Sequence, residues 1–224
     1  MFAIRHLVLQ MCRLSSSAVL AVLGIGCGLS HYQDQMREQQ IALNRLEEEN
    51  QNLDEPVKLP DKKDRPAYFF RPPLGIAIDN GPHDSSVLRR FVPKPNTPSY
   101  FEEVGFGVEN MKPEEFWSSL LRVFPNKEPK DAKDVVKNFA GRSKRFKELK
   151  SDNGMSIAYV WSEGNLHAAA LYRLTRADEH AMKLIDTSLG TLTVGADATR
   201  RKQAYQKAKS QSKPAAPKRR EGDS

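Results

Sequence analysis

Cysteine is nearly absent from this chain, which limits its covalent chemistry. Cys12 and Cys27 are the only two cysteines among 224 residues. Because Cys12 lies in a segment that is expected to be removed, Cys27 would be the single thiol of the mature chain, and no internal disulfide could form. The pattern Cys-x-x-Cys, which is typical of redox and zinc sites, does not occur either.

Sequence signatures of enzymes are also missing. The chain contains no Gly-rich phosphate loop, no Gly-x-Ser-x-Gly elbow and no His-Glu-x-x-His motif. No two of the histidines that follow Cys27 have the spacing of metal ligands. These absences favour a binding or structural module over an enzyme, and they predict neither a cofactor nor a metal ion.

One loop nevertheless combines groups that could act as an acid and a base. Asp79, His83 and Asp84 place two carboxylates and an imidazole within six residues, so a hydrolase using this loop is the alternative to a binding module. The same residue types also favour turns for purely conformational reasons. His167 falls in a predicted strand, where the expected role is that of a hydrogen-bonded structural histidine.

No hydrophobic run in the chain is long. The longest apolar stretch lies near the start of the sequence. Arg5 and Arg13 precede the apolar stretch Leu14–Gly26, and no acidic residue occurs before Asp34. A positive segment followed by a short apolar one is typical of a signal peptide, whereas a membrane-spanning helix needs about 20 apolar residues. A permanent transmembrane anchor and a mitochondrial presequence are the alternatives.

The apolar stretch ends in the sequence Leu-Gly-Ile-Gly-Cys at Leu23–Cys27, which resembles the lipobox of bacterial lipoprotein precursors. Gly26 and Cys27 fit that motif, but Gly24 stands three positions before the cysteine, where the family most often has Leu. In this family the thiol receives a diacylglycerol, and cleavage falls just before the cysteine. The resemblance, which ends at the cysteine, implies a signal peptide over residues 1–26 and lipidation of Cys27.

The physical chemistry of membrane attachment is consistent with a lipid on this cysteine. Each buried CH₂ contributes about 0.8 kcal/mol, so two or three acyl chains hold a protein on a membrane where one does not. A lone thiol outside the cytoplasm is also protected from oxidation once the diacylglycerol caps it. The sequence therefore predicts an exported protein, lipid-anchored to a bacterial membrane and facing the periplasm or the cell exterior. Ordinary cleavage near Gly26 or Gly28 is the competing interpretation.

The segment after the cysteine has a heptad pattern. Its seam positions alternate at spacings of four and three residues, at Tyr32, Met36, Gln39, Leu43, Leu46, Asn50 and Leu53. Such a seam is typical of a two-stranded coiled coil, in which a single Asn at an a position fixes the register. Residues 27–53 are therefore predicted to form a lipid-anchored helical stalk that self-associates through residues 32–53. The alternative is a stalk helix that lies on its own domain or on a partner.

The rest of the chain is predicted to form one domain after a linker. The charged, proline-rich segment 54–66 is predicted to be the linker. Residues 67–196 are predicted to form an α+β domain, in which a small antiparallel sheet is covered on one face by two or three helices. A three-stranded meander and some short strands are expected at Lys144–Lys150, Met155–Trp161, Leu166–Leu174, Ala67–Phe70, Leu74–Ile78 and Val104–Val108.

Three helices are expected within this domain. The first begins at Pro113 and ends at Pro125, with its apolar residues on one face. The second is expected at Asp131–Ala140. The third follows a capping-box pattern formed by Thr175 and Asp178, and it is closed by a glycine at position 190.

Basic residues are concentrated at the carboxyl end of the chain. Residues 198–224 contain nine basic and two acidic residues, whereas the rest of the chain after the signal peptide contains 24 basic and 26 acidic ones. A body without a basic excess lacks the surface of a folded nucleic-acid reader, so nucleic acid is not an expected partner. The tail at residues 197–224 is predicted to be largely disordered after a helical extension, Ala198–Ser210. Its expected role is binding to an anionic polymer or anionic lipid, or simply solubility.

Overall fold

The computed structural model describes most of the chain, namely residues 31–41, 43–60, 62–78, 85–139 and 142–211. These residues belong to two compact units, Met1–Glu49 and Asn50–Ser224. The predicted signal peptide, Cys27, the loop with Asp79, His83 and Asp84, and the last part of the basic tail lie outside the described residues. Among the residues described, no helix is both long enough and apolar enough to cross a membrane.

Helix α1 carries the predicted heptad positions. It comprises residues 31–41 and 43–52. Three of the seam side chains are largely exposed, with exposed fractions of 60% for Tyr32, 49% for Met36 and 55% for Leu43. The helix therefore offers an apolar stripe, and the pairing of this stripe with a second copy stays a prediction.

The second unit consists of short helices and antiparallel strands. In chain order the strands are β1 (Tyr68–Phe69), β2 (Ile76–Ile78), β3 (Arg89–Pro93), β4 (Phe101–Asn110), β5 (Lys133–Phe139), β6 (Arg142–Lys150), β7 (Ser156–Glu163), β8 (Leu166–Leu174) and β9 (Thr193–Val194). The helices after α1 are α2 (Pro113–Leu120), α3 (Glu179–Thr191) and α4 (Ala196–Gln211), and short 3₁₀ turns cover Leu121–Val123 and Pro129–Asp131.

Seven of these strands form one antiparallel sheet in the order β2-β3-β4-β8-β7-β6-β5, while β1 pairs with β9 in a separate two-stranded sheet. The longest pairing joins β4 to β8, from Phe101 opposite Leu174 to Asn110 opposite Leu166. The predicted α+β class is confirmed. The meander was predicted correctly, but it is only the middle part of a larger sheet.

The large sheet is covered on both faces, which corrects the expectation that only one face is covered. Ile157 and Tyr159 of β7 belong to a core that includes residues of α3. Ala158 and Val160, which point the opposite way, pack in a second core with residues of α2. They are buried because small residues let a helix approach the sheet closely.

The prediction of a helix at Asp131–Ala140 is wrong, because this segment contains the edge strand β5. Its residues pair with β6, from Lys133 opposite Glu148 to Phe139 opposite Arg142. The β-branched pair Val135 and Val136 favours a strand. Pairing with a neighbouring strand therefore outweighs the helical spacing of the few apolar residues here.

The segment predicted as a linker contributes to the core. Val57 and Leu59 are buried and belong to the same core as the residues of α3. The backbone N–H of Val57 donates to the carbonyl of Phe70 at 2.9 Å. Prolines and charges between the apolar residues gave this stretch the composition of a linker, but its two apolar side chains are close enough in sequence to insert together.

Helix α3 begins at Glu179, three residues later than the capping box of Thr175 and Asp178 indicated, because Asp178 rather than Thr175 is the N-cap residue. The side chain of Asp178 accepts a hydrogen bond from the backbone N–H of Ala181 at 2.8 Å, as an N-cap residue does. Thr175 lies outside this cap, since its hydroxyl donates to the carbonyl of Ser99 at 3.3 Å. The helix covers the sheet face formed by Tyr172 and Tyr159.

Candidate ligand-binding groove

The residues that sequence reasoning singled out do not assemble into a site within the described part of the chain. Cys27, Asp79, His83 and Asp84 fall outside it. Within the described ranges, no cluster of three His, Cys, Asp or Glu side chains could hold a metal ion. The structure instead shows a groove in segments that the sequence analysis had assigned to a linker and a tail.

His167 has the surroundings of a structural histidine. It lies on β8 with an exposed fraction of 1%, and its ring stacks on Phe116 with the centroids 4.7 Å apart. Its Nδ1 lies 2.8 Å from the hydroxyl of Ser162. Burial lowers the pKa of His167, so the ring is neutral at physiological pH. The ring is packed within the core beside α2, which accounts for its position without catalysis.

A groove of about 850 Å³ lies between helix α4, strand β1 and the extended segment that precedes β1. Its volume falls in the range of about 300–1,000 Å³ that is common for small-molecule sites. One wall is α4, and the chain before β1 forms the opposite wall and, together with β1, the floor. The lining residues are Glu55, Pro56, Val57, Lys58, Leu59, Pro60, Lys62, Arg65, Pro66, Ala67, Tyr68, Phe69, Ala198, Thr199, Lys202, Tyr205, Gln206 and Lys209.

The position of α4 is determined by the turn that precedes it. Gly195 has a φ of +71°, a left-handed conformation that glycine adopts without steric cost. Its N–H donates to the carbonyl of Ala67 at 2.8 Å, while its own carbonyl accepts from the N–H of Ala198 at 3.1 Å. Ala198 is buried. The turn therefore links β9 directly to α4 and directs the helix along β1.

Aromatic and guanidinium groups hold the middle of α4 against β1. The rings of Phe69 and Tyr205 meet edge to face with their centroids 5.8 Å apart. The guanidinium of Arg201 lies 5.5 Å from the centre of the Phe69 ring, and that of Arg71 lies 5.0 Å from the centre of the Tyr205 ring. Such contacts between cations and ring faces are attractive, and more so where water is partly excluded.

Arg71 joins the groove to the end of α1. Its side chain donates to the carbonyls of Asp54 and Leu53 at 2.8 and 3.0 Å, and to the side-chain oxygen of Asn50 at 3.0 Å. A cation at the carboxyl end of a helix satisfies carbonyls that have no partner within the helix. Asn50 and Leu53, the last two positions of the predicted seam, are therefore engaged within the second unit.

At the far end of the groove, Glu55 contacts α4 across the gap. It accepts a hydrogen bond from the Tyr205 hydroxyl at 3.0 Å and from the Lys209 ammonium at 2.7 Å. The hydrogen bond from Lys209 lowers the pKa of Glu55 and overcomes the opposite effect of partial burial. Burial raises the pKa of Tyr205, and its hydrogen bond to Glu55 raises it further.

The floor of the groove offers few hydrogen-bond donors. The N–H of Val57 is used by Phe70, and the N–H of Leu59 donates to the Tyr68 hydroxyl at 2.6 Å. The remaining floor includes the rings of Pro56, Pro60 and Pro66, and proline has no N–H group. The floor is therefore suited to apolar groups.

The rim of the groove is cationic. Glu55 is the single acidic side chain among the lining residues, against five basic ones at Lys58, Lys62, Arg65, Lys202 and Lys209. Lys62 and Arg65 form ion pairs with Glu109, and Lys209 pairs with Glu55. Lys58 and Lys202 are exposed and make no hydrogen bond or ion pair with any described residue. They are thus available to an anion.

A second, smaller cavity of about 310 Å³ lies along β3 and β4 and shares Lys62 and Arg65 with the groove. Its carboxylate, Glu109, is buried and is paired with both of these cations. This cavity therefore has the arrangement of a structural charge cluster.

Sequence reasoning missed the groove because its walls are about 140 residues apart in the chain and each wall is polar overall. No known protein family matches the chain, and no curated protein is significantly similar to it. One signal was available. Tyr205 is an aromatic residue inside an otherwise highly polar stretch, and such a residue is more often used in a contact than left in water.

Proposed function

We propose that this chain is a membrane-tethered binding module of the bacterial cell envelope, anchored through lipidated Cys27, and that the groove beside α4 holds its ligand. The observation that carries the proposal is the groove of about 850 Å³ itself, with an apolar floor and two rim lysines that have no partner among the described residues.

The groove walls are held in place, as a preformed binding site requires. Arg71 and Tyr205 connect β1, α4 and the end of α1, and Gly195 determines where α4 begins. A preformed site loses little conformational entropy on binding, because its walls are already ordered. The proposal thus assigns a ligand-positioning role to contacts that would otherwise be only structural.

The tether rests on the sequence of the first 27 residues and is supported by the lone cysteine at the end of the apolar stretch. It is tested by intact mass spectrometry of the amino-terminal peptide from the native membrane fraction, beside a Cys27→Ala variant. A diacylated or triacylated peptide that starts at Cys27, and that is lost in the variant, is the expected result. An unmodified terminus at Met1 would overturn the anchor.

The groove is tested by filling it. Thr199 is exposed on α4 and lines the groove, so Thr199→Trp would occupy the space with a large ring. Gln203→Trp places the same ring on α4 outside the groove lining and is the matched control. The full chain is purified from membranes, and its co-purified small molecules are identified by mass spectrometry. We expect a bound compound in the unchanged chain and in Gln203→Trp, but not in Thr199→Trp. Equal amounts in all three, or none in any, would contradict the assignment.

A further inference from the structure

We infer that the ligand of the groove is a single long-chain fatty acid, whose carboxylate lies at Lys58 and Lys202 and whose acyl chain lies on the floor formed by Pro56, Pro60, Pro66 and Tyr68. This inference rests on the proposed function, since it names the chemical class of ligand for the same groove. It joins two features, an apolar floor and a cationic rim, that one amphipathic molecule would satisfy together.

The floor favours an acyl chain over a peptide or a sugar. The N–H groups of Val57 and Leu59 already have partners at 2.9 and 2.6 Å, and the prolines have none to offer. A peptide lying here would leave its own backbone groups without partners, which is costly away from water. An acyl chain has no polar group to satisfy. Each CH₂ that leaves water strengthens binding by about two- to fourfold, depending on how completely it is buried.

The rim favours an acid over a neutral head group. Lys58 and Lys202 stand on opposite walls of the groove, one before β1 and one on α4, and neither has a partner among the described residues. The remaining lysines and the arginine at the rim are paired with Glu109 or Glu55. A carboxylate at the mouth would add the negative charge that complements the unpaired pair.

The full chain in its native membranes is labelled with a diazirine-bearing hexadecanoic acid, and labelled residues are mapped by peptide mass spectrometry. We expect labels within residues 55–69 and 198–209, and saturation with increasing probe. Dodecanoate should compete, whereas dodecan-1-ol should compete at least about fivefold less well because it lacks the charge. Tetradecanoate should compete better than decanoate. Labels confined to other parts of the chain, or equal competition by the alcohol, would overturn the inference.

Two pairs of substitutions test the head-group assignment. Lys58→Gln with Lys202→Gln is expected to raise the half-saturating probe concentration about tenfold. Lys63→Gln with Lys207→Gln removes the same net charge from exposed lysines outside the groove lining and should leave the concentration unchanged. All four side chains are exposed, so none of these substitutions is expected to disturb folding. If the half-saturating probe concentration is unchanged in the first pair, or rises equally in both pairs, the inference is overturned.

Other occupants would give different results. Displacement of the probe by hexaglutamate would indicate an acidic peptide, and groove labelling by a diazirine phosphatidylglycerol but not by the fatty acid would indicate the membrane surface; either result overturns the inference. The proposed function fails separately, when Thr199→Trp and Gln203→Trp behave alike. If binding is lost in Thr199→Trp but is unchanged when Lys58 and Lys202 are replaced, the groove remains the binding site. The ligand is then not a fatty acid.

Discussion

The hydroxyl of Tyr205 on α4 donates a hydrogen bond of 3.0 Å to the carboxylate of Glu55, a residue 150 positions earlier in the chain. Lys209, one turn further along α4, donates to the same carboxylate at 2.7 Å. These two bonds connect the two walls at one end of the groove. Because all three side chains are partly or largely exposed, the contact is expected to control local opening of α4 more than global stability.

Glu55→Gln should loosen the carboxyl-terminal half of α4. The amide still accepts a hydrogen bond but no longer attracts the Lys209 ammonium. We expect the backbone amides of residues 203–209 to exchange about two- to threefold faster, as for the loss of one exposed ion pair. Hydrogen–deuterium exchange of the full chain measures this. Glu102→Gln, at an exposed residue of β4, is the control and should leave α4 unchanged.

The same contact predicts a dependence on pH. The hydrogen bond from Lys209 holds the pKa of Glu55 below its usual value of 4.5. A carboxyl whose pKa is lowered by folding contributes stability above its unfolded pKa, and that contribution is lost as the pH falls through the folded value. Exchange of the α4 amides, corrected for its intrinsic pH dependence, should therefore accelerate below about pH 4.5. Glu55→Gln should abolish this acceleration, and its persistence in that variant would place the titrating group elsewhere.

Arg71 is expected to contribute more to global stability than any rim residue. It is 3% exposed and donates to Asn50, Leu53 and Asp54. Arg71→Met keeps much of the side-chain volume but leaves these acceptors without the guanidinium. We expect the free energy of unfolding to fall by about 3–5 kcal/mol, as for other disrupted buried polar contacts. Urea denaturation measures this loss. Arg89→Met removes an exposed arginine and should change the value by less than about 0.5 kcal/mol.

Two glycines of β4 should respond very differently to the same added methyl group. A Cβ on Gly107 would lie 1.7 Å from the carbonyl oxygen of Val87, a backbone atom that cannot move alone. A Cβ on Gly105 would lie 3.1 Å from the Cβ of Leu171, where a small shift of side chains suffices. Gly107→Ala should therefore lower the free energy of unfolding by more than about 3 kcal/mol, and Gly105→Ala should lower it by about 1 kcal/mol. Similar losses of unfolding free energy in the two variants would contradict the close approach of the Val87 carbonyl to β4 at Gly107.

How much could be predicted from the sequence differed between the sheet and the groove. Strand β8 has the predicted bounds, Leu166–Leu174, because its turns and apolar residues are local signals. The edge strand β5 was mistaken for a helix, since its structure depends on pairing with β6. The groove depends on Glu55 meeting Tyr205, a contact between two polar segments that no local pattern indicates. Long-range contacts thus account for the errors in the fold and for the missed site.

Self-association through α1 is expected to depend on the seam, and the same helix supplies a matched control outside it. Met36 and Leu43 occupy a positions of the predicted heptads and are 49% and 55% exposed, while Ile41, at an f position, is also 55% exposed. Because Asn50 and Leu53 are engaged by the second unit, pairing is expected to involve residues 32–46. Leu43→Asp should lower the oligomeric fraction of the full chain in sedimentation experiments by at least about tenfold, since a charge in a coiled-coil seam is strongly destabilising.

Ile41→Asp introduces the same charge and removes a comparable exposed apolar side chain from the same helix. A coiled coil leaves its f positions in water, so this variant should associate as the unchanged chain does. Equal effects of Leu43→Asp and Ile41→Asp would indicate that the apolar surface of α1 associates without a defined seam. A monomer in all three proteins would contradict the predicted self-association of α1.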